Sequence, residues 1–488
     1  MQGDFTRNTH NPNKNFLRVL MQQGRVQLDA DWNEQVSILL DYMQTLATDL
    51  IGPYGGPVNH CGFEIVPATV EKLNELSNSS DINKKLTEVN KSELEAQLKS
   101  SDAERIHFLI GVGHYYVHGK LCQNQQYELY SRQKYYPFGS TDKLEKDKKY
   151  LVYLDIWERH ITCIEDENDL IPGIREVALG KTDTTTRSRL IWQVKTISID
   201  AAENSGIIEG LKPINNPEFF KTFLRGKEIL KPGTGLLKAR AKTPTGEDAS
   251  KPCTISPDSR YRGAENQLYR VEIHTPGAAG TATFKWSREN ASVIFPVQEV
   301  NAETITLGHL GWDDRFSLKP GDWVELVDDQ YVLQGSAKPL RQVDSINAME
   351  MTIKLKAAFE HSIDKKSHPI LRRWDRQTNS KVKLDDIGAI IVKGDGDGWI
   401  ELEHGIEIAF SQANSLFYAT GDYWLIPART ATGDVEWPQE TAGGNSPMHV
   451  PPHGVEHHYA PLSILSINSE GGVDVTSDFR HKFPNLGV

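Results

Sequence analysis

Cysteine, methionine and long apolar runs are scarce in this sequence: there are 4 Cys and 6 Met in 488 residues. The four cysteines, Cys61, Cys122, Cys163 and Cys253, are scattered and form no C-x-x-C pair. That density argues against a disulfide-built scaffold, and free buried thiols are expected. No apolar run approaches the roughly 20 residues of a membrane helix, so no transmembrane segment is expected. The first residues, MQGDFTRNTHNPNKN, hold no apolar stretch of a secretory signal, and synthesis in the cytoplasm is expected. Cations are in deficit as well: 54 Lys and Arg face 66 Asp and Glu, a formal charge of −12. An acidic chain repels phosphate backbones, and basic clusters such as residues 146–149 are interrupted by acids, so no nucleic-acid partner is expected. Also missing are a G-x-S-x-G elbow, a P-loop and a dinucleotide fingerprint, so no motif supports an enzyme.

What is present is an ordinary globular composition, 38% hydrophobic and 25% charged. The length suits roughly three or four compact units. The string DADWNE at 29–34 sets acids at a helix start, and Val36, Leu39, Met43, Leu46 and Leu50 recur at helical spacing. Gly52 and Pro53 then stop the element, which predicts a helix over about 30–50. Residues 16–28 read as two short strands turning at Gly24, or as a short helix and then a strand. The polar stretch 69–104 carries only a thin stripe, Ile82, Leu86, Val89, Leu94 and Leu98, and predicts a surface insertion with one or two slender helices.

From residue 106 onward the texture is β. Residues 106–136 alternate, and YLVYLDIWERHITCI at 150–164 carries large residues on both faces, as a central strand does. RSRLIWQVK at 187–195 is a second strand of the same type, and short strands punctuated by Gly and Pro follow 268. PGDWVEL at 320–326 echoes TGDYWLI at 420–426, which suggests two related barrel units. The expected class is α+β, mainly β: an N-terminal helix plus several small antiparallel β-barrel or sandwich units. The expected divisions are a strand/helix arm at 1–68, the insertion at 69–104 and a β domain at 105–198. A loop-rich linker at 199–267, a small barrel-like domain at 268–360 and a C-terminal β domain at 361–488 complete the chain.

Two clusters invite a metal reading. His449, His453, His457 and His458 lie within ten residues of one another, with Glu456 among them, and such donors suit a divalent transition metal. Pro451, Pro452 and Gly454 break any helix there, and the H-E-x-x-H order is absent. The competing reading is a turn whose imidazoles make hydrogen bonds or line a subunit contact. The run KGDGDG at 393–398 offers Asp395 and Asp397, with Glu401 and Glu403 beyond, to calcium; the spacing departs from the helix-loop-helix pattern, and a tight turn is the plainer reading. Carboxylate pairs such as Asp155 with Glu158, or Glu289 with Asp313 and Asp314, single out no acid and base.

Aromatic and cationic residues recur together: Trp157 with Arg159, Trp286 with Arg288, Trp374 after two arginines, and Trp424. With Trp32 these are candidates for an assembly interface, where Trp and Arg are enriched. The alternative is a β-rich core in which Arg stacks on indole and pairs with a carboxylate.

Residues 3–7 (GDFTR), 18–34 (RVLMQQGRVQLDADWNE), 150–160 (YLVYLDIWERH), 175–180 (REVALG) and 192–194 (WQV) form specific strings. So do 281–290 (TATFKWSREN), 420–429 (TGDYWLIPAR) and 452–461 (PHGVEHHYAP). Through them the chain resembles a family of uncharacterised proteins encoded beside phage-tail-like contractile injection systems. The resemblance spans nearly the whole chain and brings no catalytic residues with it. It implies a structural part of a contractile particle, in the baseplate or a shell around it, either released or membrane-attached. The implied partners are other baseplate, spike or sheath subunits, together with further copies in a homo-oligomeric ring. Two other functions compete: a metal-dependent cargo or envelope-acting hydrolase using the histidine cluster, and a carbohydrate- or receptor-binding module stacking aromatics on sugars.

Overall fold

The computed structural model describes residues 1–99, 106–166, 173–211, 217–243, 260–360, 363–376, 385, 387–394, 396, 398–413, 415–440 and 446–484. It is mainly β with few helices, as expected. The strand Lys149–Ile161 lies between Arg187–Ile199 and His458–Ile467, central as expected. Tyr150, Val152, Leu154 and Ile156 face one core with Phe63, Phe108 and Tyr115. Leu151 and Tyr153 face another, closed by the helices Ala201–Leu211 and Pro217–Gly226 through Ile207, Leu211, Phe220 and Leu224. Burial on both faces is why this strand reads as a nearly continuous apolar run. The stretch expected to be a loop-rich linker therefore supplies two packed helices and the strand Leu237–Ala241.

The second unit is built from distant pieces. Gln267–Ile273 lies between Thr283–Ser287 and Tyr423–Arg429, and the sheet of Leu237–Ala241, Ile406–Phe410 and Ile400–Glu401 shares its core. Between these pieces the chain leaves to form a closed six-stranded barrel. Its ring order is Ile294–Asn301, Thr304–Leu307, Thr352–Leu355, Arg341–Asn347, Trp323–Val327, Ile370–Trp374. Phe295, Ile305, Leu326, Val343 and Leu371 fill it. The barrel thus begins after 268 and ends beyond 360. The last strands return to the first unit: Lys482–Phe483 pairs in parallel with Tyr54–Pro57. Sequence texture cannot show these divisions, because they are set by pairing between strands far apart in the chain.

The echo between the two Gly-Asp strings is a shared turn. Gly321 and Gly421 both take positive φ, 98° and 83°. The Asp322 and Asp422 carboxylates accept from the Lys319 and Ala419 amides at 2.8 and 3.3 Å. The strands launched there belong to different sheets, the barrel and the five-stranded sheet. The 69–104 insertion does hold two helices, Val70–Ser77 and Glu88–Lys99. Its buried stripe is Leu73, Leu76, Leu86 and Leu94, packed on Val66, Leu109 and Leu129, while Ile82 and Val89 face solvent.

Where barrel meets sheet, a charged network is buried. Lys285 Nζ donates to Glu325 Oε2 at 2.6 Å and lies 3.4 Å from Glu272 Oε1. Trp374 Nε1 donates to the same Glu325 oxygen at 2.8 Å, and Arg270 Nε to Glu272 Oε2 at 2.6 Å. The Lys285–Glu325 bond couples a barrel strand to the adjoining sheet.

Candidate interaction surface

The expected N-terminal helix, α1, runs Asp29–Ile51. Its orientation is inverted for a globular protein. Ala30 and Ile38 are buried against its own chain, and Gln44 and Thr48 are half-buried. Gly119, at φ 73°, lets the helix lie close: a Cβ there would collide with the Gln44 carbonyl oxygen. Lys120 Nζ donates to Gln44 Oε1 at 3.3 Å. The opposite face, turned to solvent, carries Trp32, Val36, Leu39, Met43, Leu46 and Leu50. A helix covering a core turns its apolar stripe inward. This one turns it outward.

The segment before α1 is exposed too. Gly24 makes a turn, but neither expected strand forms across 16–28, because no neighbouring strand offers a ladder. Phe16, Leu17, Leu20, Met21 and Val26 all stand in solvent, Leu17 at 86%. Large apolar patches of this kind mark interaction sites.

The root of the arm is fixed by polar contacts. Thr6 donates its amide to Asp29 Oδ2 at 2.9 Å and its hydroxyl to Asp29 Oδ1. Thr9 Oγ1 donates to Glu34 Oε2 at 2.6 Å, and Arg7 donates to both Glu436 oxygens at 3.1 Å. Asn290 Nδ2 donates to the Gly3 carbonyl at 2.8 Å. Beneath the root lies a polar cleft of about 360 Å3, where Arg315 grips Glu289 with two bonds of 2.6 and 2.7 Å. Burial works against the charge on Asp29, but the Thr6 hydroxyl and amide hold its carboxyl below the usual range. Asp29→Ala removes both Thr6 bonds and is expected to speed amide hydrogen exchange across residues 3–9 roughly ten-fold, leaving the barrel unchanged. Unaltered exchange at Thr6 would show that the root is held elsewhere.

Of the interface candidates read from the sequence, only Trp32 lies on this surface, at 72% exposure. Trp157, Trp286, Trp374 and Trp424 are buried inside the chain, and so is Arg159, paired with Asp329 at 2.5 Å. Arg288, half-buried, donates to Glu403 at 2.7 Å. For these residues the core reading replaces the interface reading. The signal the sequence did offer was the density of large apolar residues in α1 and across 16–28, of which Phe16, Leu17, Leu20, Met21 and Val26 precede the helix.

The four histidines are dispersed rather than gathered. His453 bridges the Tyr423 backbone, with two bonds of 2.7 Å. His457 Nδ1 lies 2.7 Å from Asp155 Oδ1 and stacks on Trp157, while Lys195 closes on the other Asp155 oxygen at 2.7 Å. His458 points elsewhere, its ring 5.1 Å from that of His118. Half-buried His449 precedes Val450, which bridges Leu237. Among the described residues no three His, Cys, Asp or Glu side chains converge as metal ligands. Asp395 and Asp397 of the calcium reading lie outside the described residues. Glu401 pairs with Lys242 at 3.2 Å, and buried Glu403 accepts from Tyr269 at 3.0 Å and from Arg288. Asp155 and Glu158 are split between different partners, Glu158 taking Lys120 at 2.5 Å. Cys61, Cys122 and Cys163 are buried, and Cys253 lies outside the described residues. Among the described residues no helix is long and apolar enough to cross a membrane. The exposed large aromatics share no sheet face: Phe16, Trp32 and Tyr42 are in the arm and α1, and Trp312 is in a barrel loop.

No curated protein and no solved structure matches the chain. A family match covers residues 1–208 and 223–479, so both the outward-facing arm and the β units behind it are features of a chain that belongs to DUF6519, a family of unknown function.

Proposed function

We propose that this chain is an assembly subunit of a phage-tail-like contractile particle, placed in the baseplate or a shell around it and working through contacts with other chains. One observation carries the reading: α1 holds Ala30, Ile38, Gln44 and Thr48 against its own body and offers most of its large apolar residues outward. Apolar side chains left in water gain nothing for the lone chain, and covering them with another chain recovers about 25 cal/mol per Å2. The β units behind the arm, joined by buried charge pairs, suit a rigid body that carries such an arm. The resemblance of strings such as RVLMQQGRVQLDADWNE to proteins encoded beside contractile injection systems supplies the particle. That string is the arm and the first turns of α1, the segment left uncovered.

The test is compositional. Particles purified from a strain with the intact gene should contain the chain at fixed stoichiometry, and particles from a deletion strain should lack a layer visible by electron microscopy. Particles of unchanged shape and composition after deletion would refute the assignment.

A further inference from the structure

The outward stripe of α1 has a definite spacing. Trp32, Val36, Leu39, Met43, Leu46 and Leu50 follow one another in alternating steps of four and three residues. That alternation is the heptad seam of a coiled coil, and exposed Leu40 and Tyr42 flank it. Val36, Met43 and Leu50 fall at one seam position, and Trp32, Leu39 and Leu46 at the other. Val36 at the first position is β-branched, and leucine fills two of the three second positions, Leu39 and Leu46. The helix has 23 residues, a seam of about 34 Å.

Three observations identify the occupant. First, knobs of a heptad seam pack into holes of another heptad seam, and α1 carries one. The large apolar residues exposed elsewhere, such as Val58, Ile82, Val177, Trp312 and Met349, are scattered along the chain. Second, charge is complementary within the arm-and-helix unit. α1 holds Asp29, Asp31, Glu34, Asp41 and Asp49 and no Lys or Arg, whereas residues 10–28 hold Lys14, Arg18 and Arg25 and no carboxylate. Two copies laid together can offset the acidic helix of one with the basic arm of the other. The same acidity disfavours a lipid surface, which selects helices rich in Lys and Arg. Third, fourteen large apolar side chains between Phe16 and Leu50 are exposed, a density that suits the roughly 800 Å2 per partner of a standard stable interface.

We infer that α1 and the preceding arm form a self-association surface, on which the α1 seams of two copies of this chain pack together. This rests on the assembly reading above and names its partner. The stripe faces water in the single chain, so it can be altered without disturbing the fold behind it.

The test uses the full chain in sedimentation velocity at micromolar concentration. The unaltered protein is expected to run as a dimer. Leu39→Glu combined with Leu46→Glu, which buries two carboxylates in the seam, is expected to weaken dimerisation at least a hundred-fold and give a monomer. Unchanged circular dichroism and melting of that variant would confirm that its fold is intact. Asp41→Ser, on the flank away from the seam, should stay dimeric. A monomeric unaltered chain at tens of micromolar overturns the inference, as does a double variant that still dimerises. A monomer that nonetheless co-purifies with contractile particles would mean that a different subunit covers α1: self-association fails and the assembly role stands. A dimer absent from particles would mean the opposite: self-association stands and the assembly role fails.

Discussion

Glu325→Ala is expected to destabilise the chain by about 3–5 kcal/mol, the cost of breaking a buried ion pair from one side. Glu325 is 4% exposed and accepts from both Lys285 Nζ and Trp374 Nε1 through one oxygen. Without it, the Lys285 ammonium keeps only Glu272, at 3.4 Å, while Arg270 and Arg372 remain buried beside it. Burial alone would push the Glu325 carboxyl up, and the neighbouring Lys285 charge overrides it and holds the group ionised. The pair is therefore mutually dependent. Lys285→Met combined with Glu325→Leu removes both charges and fills their volume with apolar atoms, so it should lose much less than Glu325→Ala alone. Urea unfolding of Lys285→Met, Glu325→Leu and the double variant measures the coupling. A Glu325→Ala loss below about 1 kcal/mol would mean that water reaches Lys285 and that the barrel is not locked to the sheet here.

Local elements were legible because local physics decides them. The acids at 29–34 and the stripe ending at Leu50 place α1 within a residue or two of its observed bounds. The run at 150–164 announces a strand buried on both faces, and Lys149–Ile161 is that strand. What the sequence hides is pairing at a distance. Nothing in the composition of 458–467 says that it will lie against 149–161, some three hundred residues earlier, and so texture alone divides the C-terminal part off as a separate unit. The Gly-Asp echo misleads for the opposite reason: two tight turns need the same residues whatever strands they launch.

The interaction surface was half legible. The heptad leucines were visible as a helical stripe, but a stripe alone does not tell inward from outward. Direction depends on what else the chain can bring to the helix, and that is a property of the assembled sheets. Tryptophan beside arginine was the weaker guide. At Trp157 and Trp374 the neighbouring cations stack on or bond to groups inside the fold, Lys195 over Trp157 and Lys285 over Trp374. Proximity in sequence also overstated the histidine cluster. His457 and His458 are adjacent in the chain where it enters a strand, so their rings leave on opposite faces, one to Asp155 and one toward His118.

The same buried charges set the response to acid. Between pH 7 and 5 two sets of groups oppose each other. Burial holds His118, His274 and His458 down to about 4 and His160 to about 3, so they remain neutral in the fold while the unfolded chain takes up protons below about 6.5, and stability falls with pH. Burial raises Glu128 and Glu403 to about 7 and Asp422 to about 6, so the fold takes up protons that the unfolded chain does not, and stability rises as pH falls. The lowered bases outweigh the raised carboxyls, since burial also holds the Met1 amino group at about 5 and His114, His309, His404 and His453 below their ordinary range, so stability is expected to fall as pH drops across this window. Below pH 4 both sets are largely protonated in the folded and unfolded chain alike and add little further. Glu272 is different: burial opposes its charge, but Arg270 and Lys285 hold it at about 2. Asp155, held down against burial by His457 and Lys195, and Glu325 behave alike in direction. Their stabilisation is complete above the unfolded carboxylate range and is lost as pH falls through the depressed values. Glu272 alone accounts for about 3 kcal/mol between pH 4.5 and 2. Urea midpoints at pH 7, 5 and 3 should therefore fall at both steps, through the buried bases first and through the paired carboxylates second. Equal midpoints at pH 7 and 5 would mean that water reaches the buried histidines, and equal midpoints at pH 5 and 3 that the buried carboxylates are less tightly paired than their distances imply.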